Sequence, residues 1–189
     1  MHRRLATGGT ALAVTFAAGT LSLTGAPTAQ AAGHPTTVRP AVVAGSCSQA
    51  YLPLPDPSCT PGVLNPDVTQ DTIDSTICVS GWTATIRPST TYTNKLKAQG
   101  IIAYGYSDTN MSDYEEDHFI PLELGGSPTS PLNLWPEPHY VTNGTGTSST
   151  KDGVETKLKR AVCAGTVTLA DAQDALVTDW TTALSSLGL

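Results

Sequence analysis

Hydrophobic and polar positions divide the chain into stretches with helical spacing, short β-prone pieces and long segments without any period. Ser149-Thr150-Lys151-Asp152 reads as an N-cap followed by an acidic first turn, after which Val154, Leu158, Ala161 and Val162 recur at helical spacing until Gly165 ends the run. Thr168 to Asp171 repeats the cap signature. From there Leu169, Ala172, Leu176, Trp180, Ala183, Leu184 and Leu187 draw one apolar stripe along a final helix, whose expected role is core packing. Tyr92 to Gln99 has helical composition and predicts a helix stopped by Gly100 as its C′ residue. Thr76 to Val79, Trp82 to Arg87 and Ile101 to Tyr106 predict short strands, with turns at Pro61-Gly62 and Asn65-Pro66-Asp67. Strands and helices in this mixture make an α+β domain, with no internal repeat and no heptad series.

The aperiodic segments lie at the start. Residues 1–31 begin with His2-Arg3-Arg4, continue through the small and apolar stretch from Ala11 to Leu23 and end in Ala29-Gln30-Ala31, a small-x-small cleavage pattern. This predicts a secretory signal cut before Ala32. Its apolar core is too short to span a bilayer, and no later segment is apolar enough, so no membrane contact is expected after cleavage. Residues 32–57, rich in Pro, Ala, Thr, Val and Ser, predict a flexible lead-in. Residues 58–189 are left as one domain, since about 155 mature residues suffice for one core and not comfortably for two.

Charge narrows the choice of partners. Arg3 and Arg4 are the only two of the 10 basic residues in the signal, so 8 remain against all 16 acidic ones. That balance argues against a broad electrostatic grip on nucleic acid. It leaves room for a local one, because a divalent cation reverses the field around it, and Lys151, Lys157, Lys159 and Arg160 gather in one segment. Cys47, Cys59, Cys78 and Cys163 are even in number, widely spaced and without a Cys-x-x-Cys pair, which predicts two disulfides in an exported chain rather than metal ligation. Three pairings are possible. The favoured one is Cys47–Cys59 as a local staple with Cys78–Cys163 as a long bridge.

Candidate chemistry concentrates between Glu115 and Asp152. Hydrolysing a phosphodiester needs an activated water, a cation on the phosphate and a way to hold both in line. His118 is a natural general base, because an imidazole titrates near neutral pH. Asp117 offers a hard oxygen for Mg²⁺ if the strand ends or bulges there, so that both neighbours reach one site. Asn133, 15 residues after His118, suits a hairpin whose loop holds Gly125, Gly126 and Pro128. Its amide has two compatible roles: accepting from His118 Nδ1–H to leave Nε2 as the base, or capping the loop through backbone hydrogen bonds.

The run Glu116-Asp117-His118-Phe119-Ile120-Pro121-Leu122-Glu123-Leu124-Gly125-Gly126, followed by Asn133-Leu134-Trp135-Pro136, resembles the first half of the His-Asn-His (ββα-metal) endonuclease motif. It is most similar to small secreted bacterial members of that superfamily, with Lys151-Asp152, Glu155, Val162-Cys163, Gly165 and Asp179-Trp180 continuing the pattern. The resemblance covers roughly Cys59 to Trp180. It implies a ββα-metal hairpin and helix within a small disulfide-stabilised domain, with Asp117 as metal ligand, His118 as general base and Asn133 as the residue that orients it. Members of that superfamily supply a further His or Asn ligand from the first turn of the following helix. Here Asp152 and His139 stand equal for that place, with Asn143 behind them, and Glu115 or Glu116 as additional acidic groups.

The activity so implied is a secreted endonuclease of low sequence specificity, dependent on Mg²⁺ or Mn²⁺, with DNA or RNA as substrate. A non-catalytic binding or structural module with the same fold is the alternative, and a hydrolase of another exported substrate is a third.

Overall fold

The computed structural model describes residues 45–144 and 146–189. The expected signal segment lies outside the described residues. Within them the chain is α+β: helices α1 (Trp82–Ile86) and α2 (Thr90–Ala103), strands β1 (Tyr114–His118) and β2 (Leu134–Pro138), then helices α3 (Ser148–Cys163), α4 (Leu169–Asp179) and α5 (Ala183–Ser186). The two strands form one antiparallel ribbon in which Tyr114 faces Pro138, Asp117 faces Trp135 and His118 faces Leu134.

Two apolar clusters hold these elements. Leu158 and Val162 of α3, Leu169, Ala172 and Leu176 of α4, Trp180 and Ala183 close around Ile73, Ile77 and Leu124. This is the stripe expected from the periodicity of the C-terminal third, broken into two helices after Asp179. The second cluster packs Ile101, Tyr104, Tyr106, Tyr114, Phe119 and Trp135 against the ribbon. The sequence expectations for α3 and α4 hold to within a residue or two at the caps: α3 is capped at Thr147, and Gly165 follows its end with a φ of 70°.

Three expectations are corrected. Ile101 to Tyr106 is not a strand, because α2 runs on through Gly100 to Ala103 and turns at Gly105, whose φ of 64° supplies the left-handed C′ position. Gly100 instead permits close packing, since a Cβ there would come within 2.6 Å of the Pro136 ring on β2. The expected strand at Trp82 to Arg87 is the short helix α1, started by Gly81 at a φ of 80° and ended by Arg87, the residue before Pro88. The piece from Thr76 to Val79 lies in turns.

The expected lead-in, residues 32–57, is described only from Gly45, and that part is tied down. Gly45 N–H and Cys47 N–H donate to Ile102 O and Ala103 O at 3.1 and 2.9 Å. Asp56 is buried, and its carboxylate accepts from Ser48 N–H at 2.7 Å and from Ser58 N–H at 2.8 Å. The disulfides are Cys47–Cys59 and Cys78–Cys163, as favoured from the sequence. The second fastens the segment before α1 to the last residue of α3. No helix among the described residues is long and apolar enough to cross a membrane.

Candidate active site

His118 is the last residue of β1, where the alternation of a strand lapses, and this lets Asp117 and His118 line the same cleft. The cleft has a volume of about 240 Å³. Glu115, Asp117 and His118 come to it from β1, Asp152, Glu155 and Thr156 from α3, and Thr83 and Arg87 from α1 and its cap. The strand-end condition attached to the Asp117–His118 pair is therefore met.

The loop between the strands fixes the imidazole. Pro121 opens a tight turn closed by Gly125 at a φ of 79°, and a Cβ on Gly126 would fall 1.7 Å from Ile120 O, so no side chain fits there. Asn133 is fully buried and clamps this loop: Oδ1 accepts from Ile120 N–H at 3.0 Å, and Nδ2 donates to Ile120 O at 3.0 Å and Ser127 O at 3.1 Å. The carbonyl of the next residue, Pro128, lies 3.0 Å from His118 Nε2. Asn133 thus takes the loop-capping role and orients His118 only through Pro128, correcting the direct bond to Nδ1.

That contact decides the tautomer. Burial lowers the His118 pKa below its ordinary 6.5, with the Pro128 hydrogen bond and Asp117 opposing, so the ring is neutral near pH 7. A carbonyl only accepts, so the neutral ring carries its proton on Nε2 and its lone pair on Nδ1. The basic nitrogen is Nδ1, not the Nε2 expected from sequence.

Asp117 is 6% exposed, and its Oδ2 accepts from Trp135 Nε1 at 3.2 Å and from Lys151 Nζ at 2.7 Å. Lys151, fully buried in the first turn of α3, also donates to His118 O at 3.3 Å and pairs with Glu155. All three of its N–H donors are engaged. Burial opposes its charge, but Asp117, Glu155 and Glu137 outweigh burial and keep it an ammonium.

The remaining carboxyls are frustrated. Burial pushes Glu155 above the ordinary carboxylate range, with Lys151 pulling the other way and Asp117 pushing further. Glu137 is buried opposite Glu115 and raised by burial and then by Asp117. Glu115 and Asp152 are raised by burial and Asp117 too. Glu116 does not line the cleft; burial pushes it up to about 9, and its Oε2 is buried without a hydrogen-bond partner among the described residues.

Of the residues expected to ligate metal, Asp117 and Asp152 are brought to the cleft, Asp152 at an exposed position on its rim. His139 is not among its lining residues: it is exposed, and its Nδ1 lies 2.7 Å from Ser148 Oγ. Asn143 donates to Leu52 O at 2.7 Å, also off the cleft lining. No group of three or more His, Cys, Asp or Glu side chains among the described residues is arranged to hold a metal ion. Oxygen donors of the kind Mg²⁺ favours are nonetheless present, and Mg²⁺ commonly binds through one or two carboxylates and completes its shell with water and phosphate.

Sequence reading missed Lys151, Glu155, Glu137 and Arg87 as parts of the site. A signal existed for the first two. Lys151 and Glu155 extend the stripe of Leu158 and Val162 at helical spacing, which puts a charge pair on the buried face of α3. Comparison of the chain with family models, with curated proteins and with solved structures gives no match in any of the three.

Proposed function

We propose that the protein is an exported phosphodiesterase, an endonuclease of low sequence specificity in which His118 is the general base. The observation that carries this reading is the 3.0 Å contact between His118 Nε2 and Pro128 O, which leaves Nδ1 as the basic nitrogen of a neutral imidazole lining one cleft with Asp117. A catalytic base needs that pairing of neutrality and fixed direction to take a proton from water near pH 7. The two disulfides fit an oxidising destination, in keeping with the cleavable leader expected from sequence.

A divalent cation would be held by Asp117, whose Oδ2 is shared with Lys151, together with Asp152 or Glu115, two cleft carboxylates that Lys151 does not engage. When bound, Mg²⁺ or Mn²⁺ supplies charge neutralisation at the phosphate and at the leaving oxygen. The chain's own groups do the rest: His118 takes the proton, Pro128 and Asn133 hold the ring, and Lys151 fixes the Asp117 carboxylate.

One observation favours a second reading, a non-catalytic binding module. Lys151 occupies Oδ2 of Asp117 from the first turn of α3, where the resemblance expects a metal ligand. Incubating the oxidised mature protein with plasmid DNA and with RNA under Mg²⁺, Mn²⁺ and chelator separates the two. Metal-dependent cleavage supports the nuclease, and intact nucleic acid in every arm supports the binding module.

A further inference from the structure

Arg87 is the residue of the cleft that the scheme above leaves without a task. It caps α1, its side chain is exposed, and it lines the cleft with Thr83 one turn earlier. Carboxylates surround the same space, at Glu115, Asp117, Glu123, Asp152 and Glu155. Arg87 pairs with none of them: both ion pairs among the described residues belong to Lys151, and the guanidinium makes no side-chain hydrogen bond there. Lys151 cannot serve an incoming anion, since its three donors are spent. Arg87 itself has left the helix for an extended conformation, as the residue before Pro88, with its N–H donating to Thr83 O.

On this footing, and resting on the phosphodiesterase reading, we propose that Arg87 is the phosphate anchor of the cleft and grips the non-bridging oxygens of a single diester linkage. A guanidinium presents a planar fork of donors that matches two phosphate oxygens, and an unpaired one beside a general base has its donors free for them. The carboxylates set the charge that can enter. An internal diester carries one negative charge and a terminal phosphate carries nearly two, so repulsion from the same acidic lining selects the internal linkage. The excess of acidic over basic residues removes any wide backbone grip, so one phosphate contact should dominate.

The test is fluorescence anisotropy with a short labelled single-stranded phosphorothioate oligonucleotide over a salt series, using the intact disulfide-bonded protein, Arg87→Ala, Arg87→Lys and Arg160→Ala. Arg160 is a solvent-exposed control at the end of α3. Arg87→Ala should weaken binding about 10- to 100-fold and flatten the slope of log affinity against log salt by about one, with Arg87→Lys intermediate and Arg160→Ala unchanged. Thymidylyl-thymidine should compete better than thymidine monophosphate. Unchanged affinity and slope in Arg87→Ala overturns the anchor, as does better competition by the monophosphate or no binding by the parent protein. Parallel cleavage assays separate this from the parent reading: binding that depends on Arg87 without any cleavage sinks the nuclease and keeps the anchor, and cleavage with Arg87-independent binding does the reverse.

Discussion

The ammonium of Lys151, in the first turn of α3, lies 2.7 Å from Oδ2 of Asp117, one residue before the end of β1. Through that contact and the one to His118 O, a single side chain joins the helix to the strand end that carries the candidate base. Both partners are buried, so the pair is worth most for what its loss exposes. Lys151→Met should destabilise the fold by roughly 3–5 kcal/mol, because Asp117 and Glu155 are left as uncompensated buried carboxyls. Lys151→Met with Glu155→Leu should recover part of the loss. Chemical denaturation of the three proteins checks this, and equal stability of Lys151→Met and the parent would refute it.

Glu116 sets an alkaline weakness. Its folded-state carboxyl is raised to about 9 from an ordinary 4.5 by burial first and by Asp117 second, with Lys97 opposing. A group raised on folding binds more protons in the native state, so its contribution is full below pH 4.5 and is lost as pH rises toward 9. Glu116→Gln should therefore be close to neutral at pH 4 and should stabilise by on the order of 1–3 kcal/mol at pH 9, because the parent must there hold a proton that the unfolded chain releases and Gln does not titrate. Melting curves across that range test it. A substitution with the same effect at both ends would show that Glu116 stays ionised and solvated.

Trp180 joins the C-terminal helices to the first described segment, with its ring buried to 1% exposure and Nε1 donating to Pro53 O at 3.1 Å. Trp180→Ala should cost about 3–5 kcal/mol through the cavity it leaves. Trp180→Phe keeps most of the volume and should cost less, chiefly the hydrogen bond. If Trp180→Ala melts with the parent protein, the helix pair is peripheral to the domain.

What the sequence made legible follows from how local each signal is. Helical spacing found α3 and α4 because Leu158, Val162, Leu169, Ala172 and Leu176 face one core. Asp117 and His118 stood out because Asp-His, the Pro-Leu continuation, Gly125-Gly126 and Asn133-Leu134 follow in the order and spacing that carry the resemblance. Composition failed at Trp82 to Arg87 and Ile101 to Tyr106, where β-branched and aromatic residues pack from helix ends and turns rather than from strands. The N-terminal assignment failed from Gly45 to Pro57 because Asp56 is buried by partners as distant as Tyr104, whose hydroxyl accepts from its N–H at 2.9 Å. Arg87 was hidden because a basic residue reads as solvated surface until the fold places it beside a cleft, whereas Lys151 could have been found from its place on the buried stripe of α3.

If His118 Nδ1 removes a proton in phosphodiester cleavage, as proposed, the pH dependence of that cleavage must differ between the parent protein and His118→Ala. The parent should lose rate on the acid side below pH 6.5, the ordinary histidine value, because burial lowers the His118 pKa and the base stays unprotonated to lower pH. His118→Ala should be slower by about 10²–10⁴-fold and should lack that acid limb. Equal rates with the same acid limb in both proteins would contradict the assignment of His118 as the base.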